Sequence, residues 1–260
     1  MYWIQFTLVA LMGLAIGSFL NVAIHRLPRK IKFRTGRSIC PHCGEQLRWY
    51  QNVPLLSYLG LRGKCGFCLG RISFRYPLVE ALNCGAWLYF FWVYGLTVEG
   101  GIYAVLVSAL IVVFFIDLDF QIIPDSITLP GMVIGLGLSF VPGGIGIVQS
   151  GIGLLVGGVA LYLIALLGDW LFKKESMGGG DIKLAAMLGS FLGWQKVLFV
   201  FMASAVVGLV ASIAIMIVSS RVRETRMIPF GPFIAIAAFV AIAWGDQIIT
   251  YYVDNFLSIN

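Results

Sequence analysis
Two aspartates, Asp117 and Asp181, adjoin long apolar runs, where a carboxylate is costly to keep. Asp181 closes the glycine run of Gly178-Gly179-Gly180-Asp181-Ile182-Lys183. Asp117 lies in Phe115-Ile116-Asp117-Leu118-Asp119-Phe120-Gln121-Ile122-Ile123-Pro124-Asp125. Two carboxylates brought together cannot both ionise easily. One keeps a proton and serves as acid while the other activates water, which is the chemistry of an aspartic protease. A plainer reading stands beside this one. Asp181 after glycines fits a helix N-cap, Asp125 after Pro124 fits another, and Asp119 fits a solvated side chain. Asp117 and Asp181 are 64 positions apart, so only the fold can join them. The three glycines permit backbone geometry and close approach that other residues do not.

A second constellation is Cys40-Pro41-His42-Cys43 with Cys65-Gly66-Phe67-Cys68. Two C-x-x-C knuckles at this spacing suit a tetrahedral four-thiolate zinc site of the closed, structural kind. Cys40, Cys43, Cys65 and Cys68 are the expected ligands, and His42 is expected as a neighbour. About 50 polar residues bury little core, so a metal staple is physically sensible. Cys84 stands alone in an apolar segment and reads as packing. No other nucleophile pattern competes. The chain has no H-E-x-x-H, G-x-S-x-G, Walker or G-x-G-x-x-G motif, and His25 and His42 are its only histidines.

The elements that must position these groups are membrane helices. Of 260 residues, 60% are hydrophobic and 12% charged, with a mean hydropathy of +0.94. Apolar runs of about 20 residues predict helices rather than a barrel. Eight segments are expected: 2–24, 77–98, 102–116, 127–141, 148–172, 181–192, 197–218 and 230–252. The first, with no basic n-region or cleavage site, reads as a retained helix with its N-terminus outside. Gly13, Gly17 and Ser18 share one face of it, and segment five is glycine-rich; both favour close helix packing.

Of the 18 Lys and Arg residues, eleven fall between Arg26 and Arg75. With both termini outside, the inside loops 25–77, 117–125, 172–180 and 219–228 hold every Lys and Arg except Lys183 and Lys196. Lys183 sits one turn into segment six, where it either orients a carboxylate or snorkels to the surface. This distribution explains the net charge of +6 as membrane topology and argues against nucleic acid. The expectation is an all-α polytopic membrane protein with about eight transmembrane helices. It divides into helix 1 (1–25), a small cytoplasmic zinc-binding domain between helices 1 and 2 (26–76) and a transmembrane core (77–260). Two other classes fit paired acids in a membrane. A proton-coupled transporter would place the acids nearer mid-membrane and often carries repeats, and none is evident here. A zinc-module scaffold would not need the aspartates.

Taken together, these motifs resemble the type IV prepilin peptidases, a family of G-x-G-D membrane aspartyl proteases. The resemblance spans nearly the whole chain. It rests on Gly17-Ser18-Phe19-Leu20-Asn21-Val22 with His25-Arg26-Leu27-Pro28, the two C-x-x-C pairs, and Arg75-Tyr76-Pro77-Leu78-Val79-Glu80. It rests further on the two aspartate motifs and on Pro229-Phe230-Gly231-Pro232-Phe233. It implies an enzyme of the bacterial inner membrane with its active site facing the cytoplasm. Such an enzyme cleaves the basic leader of type IV prepilins or type II secretion pseudopilins. The resemblance maps the catalytic pair onto Asp117 and Asp181, with Asp125, Gly178, Gly180 and Lys183 in support. It also implies N-methylation of the new N-terminus from S-adenosylmethionine. Glu80 is a candidate for that second reaction, or else a partner for an arginine such as Arg75.

Overall fold
The computed structural model describes residues 2–33, 38–173, 177–218 and 228–257. Those residues form helices α1 (Tyr2–Arg26), α2 (Leu56–Gly60), α3 (Arg75–Tyr94), α4 (Val98–Phe120), α5 (Asp125–Leu138), α6 (Ile147–Phe172), α7 (Gly179–Val218) and α8 (Gly231–Tyr252). There is no extended strand among them, only the isolated bridges Ile39–Gln46 and Lys64–Arg71. Arg221, Arg223 and Arg226 of the expected basic turn lie outside the described residues, as do Lys174 and Glu175.

Among the described residues, five helices (α1, α4, α6, α7 and α8) are long and apolar enough to cross a membrane. Their outward faces are apolar as well. Leu11, Val105, Leu167, Trp170 and Ile217 are each more than half exposed, a surface suited to lipid rather than water. The chain is a multi-pass membrane protein. Expected segments six and seven form the two arms of α7, which breaks at Gly193 (φ 79°, ψ 172°), a conformation that favours glycine. Helix α5 has 14 residues and spans about 21 Å, short of a hydrocarbon core of about 30 Å.

The chain divides into two compact units, residues 1–112 and 113–260. In the first, α1 packs against α3 through glycine. A Cβ on Gly17 would stand 2.8 Å from the Glu80 Cα, and one on Gly13 would stand 2.9 Å from the Cys84 Cα. Ridges this close leave backbone carbonyls within reach of side chains. The fully buried Asn83 donates to the Gly13 carbonyl at 2.7 Å and accepts from Ser108 Oγ at 2.7 Å, and Trp87 Nε1 donates to Ser108 at 3.0 Å. Gly13, Asn83, Ser108 and Trp87 are thus paired with one another, as buried polar groups require.

In the second unit α7 packs against α5, α6 and α8. The α6–α7 crossing brings Gly153 and Gly189 together, with Gly157 set on Ala185, so tightly that no Cβ fits at any of the three glycines. On the other side Gly131 of α5 accommodates Met187, and Gly135 accommodates Ser190 and Phe191. These small residues draw the first arm of α7, which carries Asp181, against the helix that begins at Asp125.

Candidate active site and metal centre
Asp117 lies three residues before the end of α4 and is 5% exposed. A carboxylate so enclosed needs a donor. One comes from the start of α8, where the Gly231 backbone N–H donates to Asp117 Oδ2 at 2.8 Å. A Cβ on Gly231 would fall 2.7 Å from that same oxygen, so the residue is glycine for space. Pro232 follows in the first turn, where its missing N–H costs nothing.

Asp181 sits in the first turn of α7, not ahead of it, so the expected N-cap role does not describe it. Its N–H donates to the Gly178 carbonyl at 3.1 Å, and Gly178 lies beside its carboxylate. Gly180 leaves room for Ile123 of the α4–α5 loop, since a Cβ there would stand 3.0 Å from the Ile123 Cβ. The two aspartate segments are therefore in contact.

Asp125 differs from its expected role as a cap. It is the first residue of α5, Pro124 precedes it, and no side-chain cap hydrogen bond forms. Its carboxylate instead takes Lys183 Nζ on both oxygens at 2.8 Å. This pair joins the first turns of α5 and α7. Lys183 thus forms an ion pair with the Asp125 carboxylate, with both side chains partly exposed. Asp119 is exposed.

The metal centre is built from two matching turns. Cys40 N–H donates to Glu45 O and Gly44 N–H to Cys40 O, both at 2.9 Å; Cys65 N–H donates to Gly70 O at 2.8 Å and Leu69 N–H to Cys65 O at 3.0 Å. Gly44 and Leu69 hold the equivalent left-handed positions, with φ of 71° and 57°. The four sulfurs lie within 4.8 Å of one another. Cys40 and Cys68 sulfurs are 3.9 Å apart, against ~3.8 Å for a tetrahedron of ~2.3 Å zinc–sulfur bonds. Backbone N–H groups of Cys43 and His42 point at the Cys40 sulfur and hold its thiol down at about 7. At Cys43 the Glu45 N–H is outweighed by burial and the neighbouring Cys40 and Cys68 sulfurs, which push its thiol up to about 11. Without a cation the thiolate is therefore favoured at Cys40 and not at Cys43. The His42 ring lies against Gly70, and its Nε2 is 3.3 Å from Arg71 O, so it braces the opposite knuckle as a neighbour.

Glu80 is buried (8% exposed) in the first unit. Its Oε2 accepts the Leu55 N–H at 2.8 Å, and the Ser18 hydroxyl also donates to it. Leu55 carries a positive φ of 58° at the start of α2. Glu80 thus ties the insert to α1 and α3. Gly231 entered the sequence reading only within the Pro229-Phe230-Gly231-Pro232-Phe233 motif, with no site role given to it; its place beside Asp117 comes from the fold.

The sequence as a whole is similar to known proteins. Residues 11–94 match the Bacterial Peptidase A24 N-terminal domain, and residues 104–213 match the Type IV leader peptidase family. The chain is 40% identical to a protein of Stutzerimonas stutzeri named prepilin leader peptidase/N-methyltransferase, over 96% of this chain and 95% of that one. Proteins with the same name from Aeromonas hydrophila and Legionella pneumophila are 38% and 35% identical, each over 98% of this chain and 96% of theirs. No solved structure matches.

Proposed function
The chain belongs to the type IV leader peptidase family, and on that premise we propose that it removes the basic leader of prepilins or pseudopilins at the cytoplasmic face of the bacterial inner membrane and N-methylates the new N-terminus. The observation that carries the peptidase reading is the meeting of the two aspartate segments. Asp117 and Asp181 hold a water between them. One carboxylate takes a proton from that water as it attacks the scissile carbonyl, and the other, protonated, gives its proton to the carbonyl oxygen. The Gly231 N–H leaves only one oxygen of Asp117 for this work and so orients it. Gly178 and Gly180 leave room for the substrate backbone, and the Lys183–Asp125 pair keeps the two segments in register.

Residues 26–76 form the zinc-binding domain between helix 1 (1–25) and the protease core (77–260). Zinc is the metal that best suits four thiolates at these spacings, and its role is structural. S-adenosylmethionine, were it bound, would supply the methyl group that the neutral N-terminal amine takes up with loss of one proton. Glu80 serves methyl transfer as a positioning residue, through the insert that it anchors at Leu55. Family membership favours this reading over a proton-coupled transporter or a zinc-module scaffold.

The test is co-expression with prepilins and mass spectrometry of the product. Wild type is expected to remove the leader and add one methyl group. Asp117→Asn and Asp181→Asn are each expected to leave the prepilin uncut while the protein remains folded and zinc-loaded. Wild-type cleavage by either variant would remove the dyad assignment, and cleavage without methylation would remove the methyltransferase half.

A further inference from the structure
The last turns of α1 and the first part of the insert line a half-open cavity of about 630 Å³. From α1 come Phe19, Val22 and Arg26, which share one helical face. The Phe33 ring folds back onto Phe19, stacked at 5.8 Å, and Arg26 Nη1 holds that turn by donating to the Phe33 carbonyl at 2.9 Å. The opposite wall is the single turn 49–52, with Trp49 and Tyr50 edge to face at 5.9 Å. Trp49 is 82% exposed. A large indole left open beside the end of a membrane helix is placed as residues at a lipid–water boundary are.

The polar lining points to the charge of the occupant. Arg48 lies in the wall, donating to the Tyr50 hydroxyl at 3.1 Å, with Ser38 and Asn52 nearby. No acidic side chain lines the cavity among the described residues. The surrounding segment, residues 26–75, has eleven Lys and Arg against one acid, Glu45. A sulfonium ligand would bring positive charge to two guanidinium groups with no carboxylate to balance them. A free phosphate would make no use of Phe19, Val22 or Trp49. An anionic head joined to apolar chains uses both parts, and basic clusters directly beside a membrane helix favour such lipids.

We infer that this cavity binds an anionic phospholipid, with its phosphate at Arg48, Ser38 and Asn52 and its acyl chains along the Phe19–Val22 face of α1. The wall is coupled to the metal centre. Leu47 N–H donates to Ser38 O at 2.8 Å beside the first knuckle, and Gln51 fills the space that Gly66 leaves in the second. The lipid site therefore depends on the folded insert.

The experiment is native mass spectrometry of the full-length, zinc-loaded protein offered equimolar phosphatidylglycerol and phosphatidylcholine in detergent. Wild type is expected to retain phosphatidylglycerol at least fivefold over phosphatidylcholine. Arg48→Gln and Trp49→Ala are each expected to erase that preference at unchanged zinc content, and Arg48→Lys to keep part of it. If Trp49→Ala loses zinc, Asn52→Ala takes its place in the comparison. Equal retention of the two lipids, or full preference in Arg48→Gln, overturns the inference. So does displacement of the lipid by glycerol 3-phosphate, which would make the site one for free phosphate. Displacement by S-adenosylmethionine would assign the cavity to the methyl donor and overturns it likewise.

Discussion

The Gly231 backbone N–H donates to Asp117 Oδ2 at 2.8 Å, across 114 positions of sequence. One carboxylate oxygen is thereby committed to the start of α8, and the proposed mechanism assigns the acid–base work to the other. Such a bond to a buried acid fixes its rotamer as well as its charge distribution.

Gly231→Ala should therefore damage catalysis without unfolding the protein. The new Cβ would fall 2.7 Å from Asp117 Oδ2, so the carboxylate must turn away. A misplacement of about 1 Å costs on the order of 100-fold in rate. Leader cleavage followed by gel shift should show a fall in kcat with little change in KM, at unchanged thermal stability. A rate within twofold of wild type would mean that the Asp117 orientation is not limiting.

The Lys183–Asp125 pair should matter for register more than for stability. Its side chains are 41% and 54% exposed, so screening leaves it worth under about 1 kcal/mol. Asp125→Ala and Lys183→Ala should each lower cleavage several-fold while moving the melting temperature little. The double exchange Asp125→Lys with Lys183→Asp should recover part of the loss. A double variant no better than the singles would point to a separate role for one of the two residues.

Metal removal should act on the insert first. With four sulfurs within 4.8 Å and little apolar core between the knuckles, the turns at 40–45 and 65–70 depend on the ion to close. One zinc per chain is expected by elemental analysis. Cys65→Ser should abolish it, because Cys65 is 2% exposed and no water can replace its thiolate without opening the turn. Limited proteolysis should then cut within residues 38–75 and spare α5 to α8. Full zinc content in Cys65→Ser would contradict a four-thiolate site.

Asn83→Leu should destabilise the first unit by about 1–3 kcal/mol. The change leaves the Gly13 carbonyl and the Ser108 hydroxyl each without their Asn83 partner in a fully buried place. Heat-induced aggregation should begin at a lower temperature in Asn83→Leu than in wild type. An unchanged onset would mean that water or lipid reaches this position.

What the sequence by itself determined is what local physics decides. Apolar run length sets where helices form, and the runs at 2–24, 148–172 and 230–252 foretell α1, α6 and α8 to within a few residues. A C-x-x-C knuckle closes over four residues, so its spacing declares a metal site before any fold is known. The glycine at 193 marks a break because no other residue holds that φ easily. Asp117 and Asp181 were legible as costly, and for that reason suspect. Tertiary structure alone decided their partners. The contact of Gly180 with Ile123, the Gly231 donor to Asp117, the Lys183 bond to Asp125 and the Glu80 bond to Leu55 all join positions 25 or more apart. No helical period or turn rule reaches that far. These contacts follow from which helices pack, and in an apolar solvent small residues such as Gly17, Gly153 and Gly189 settle that by letting backbones approach.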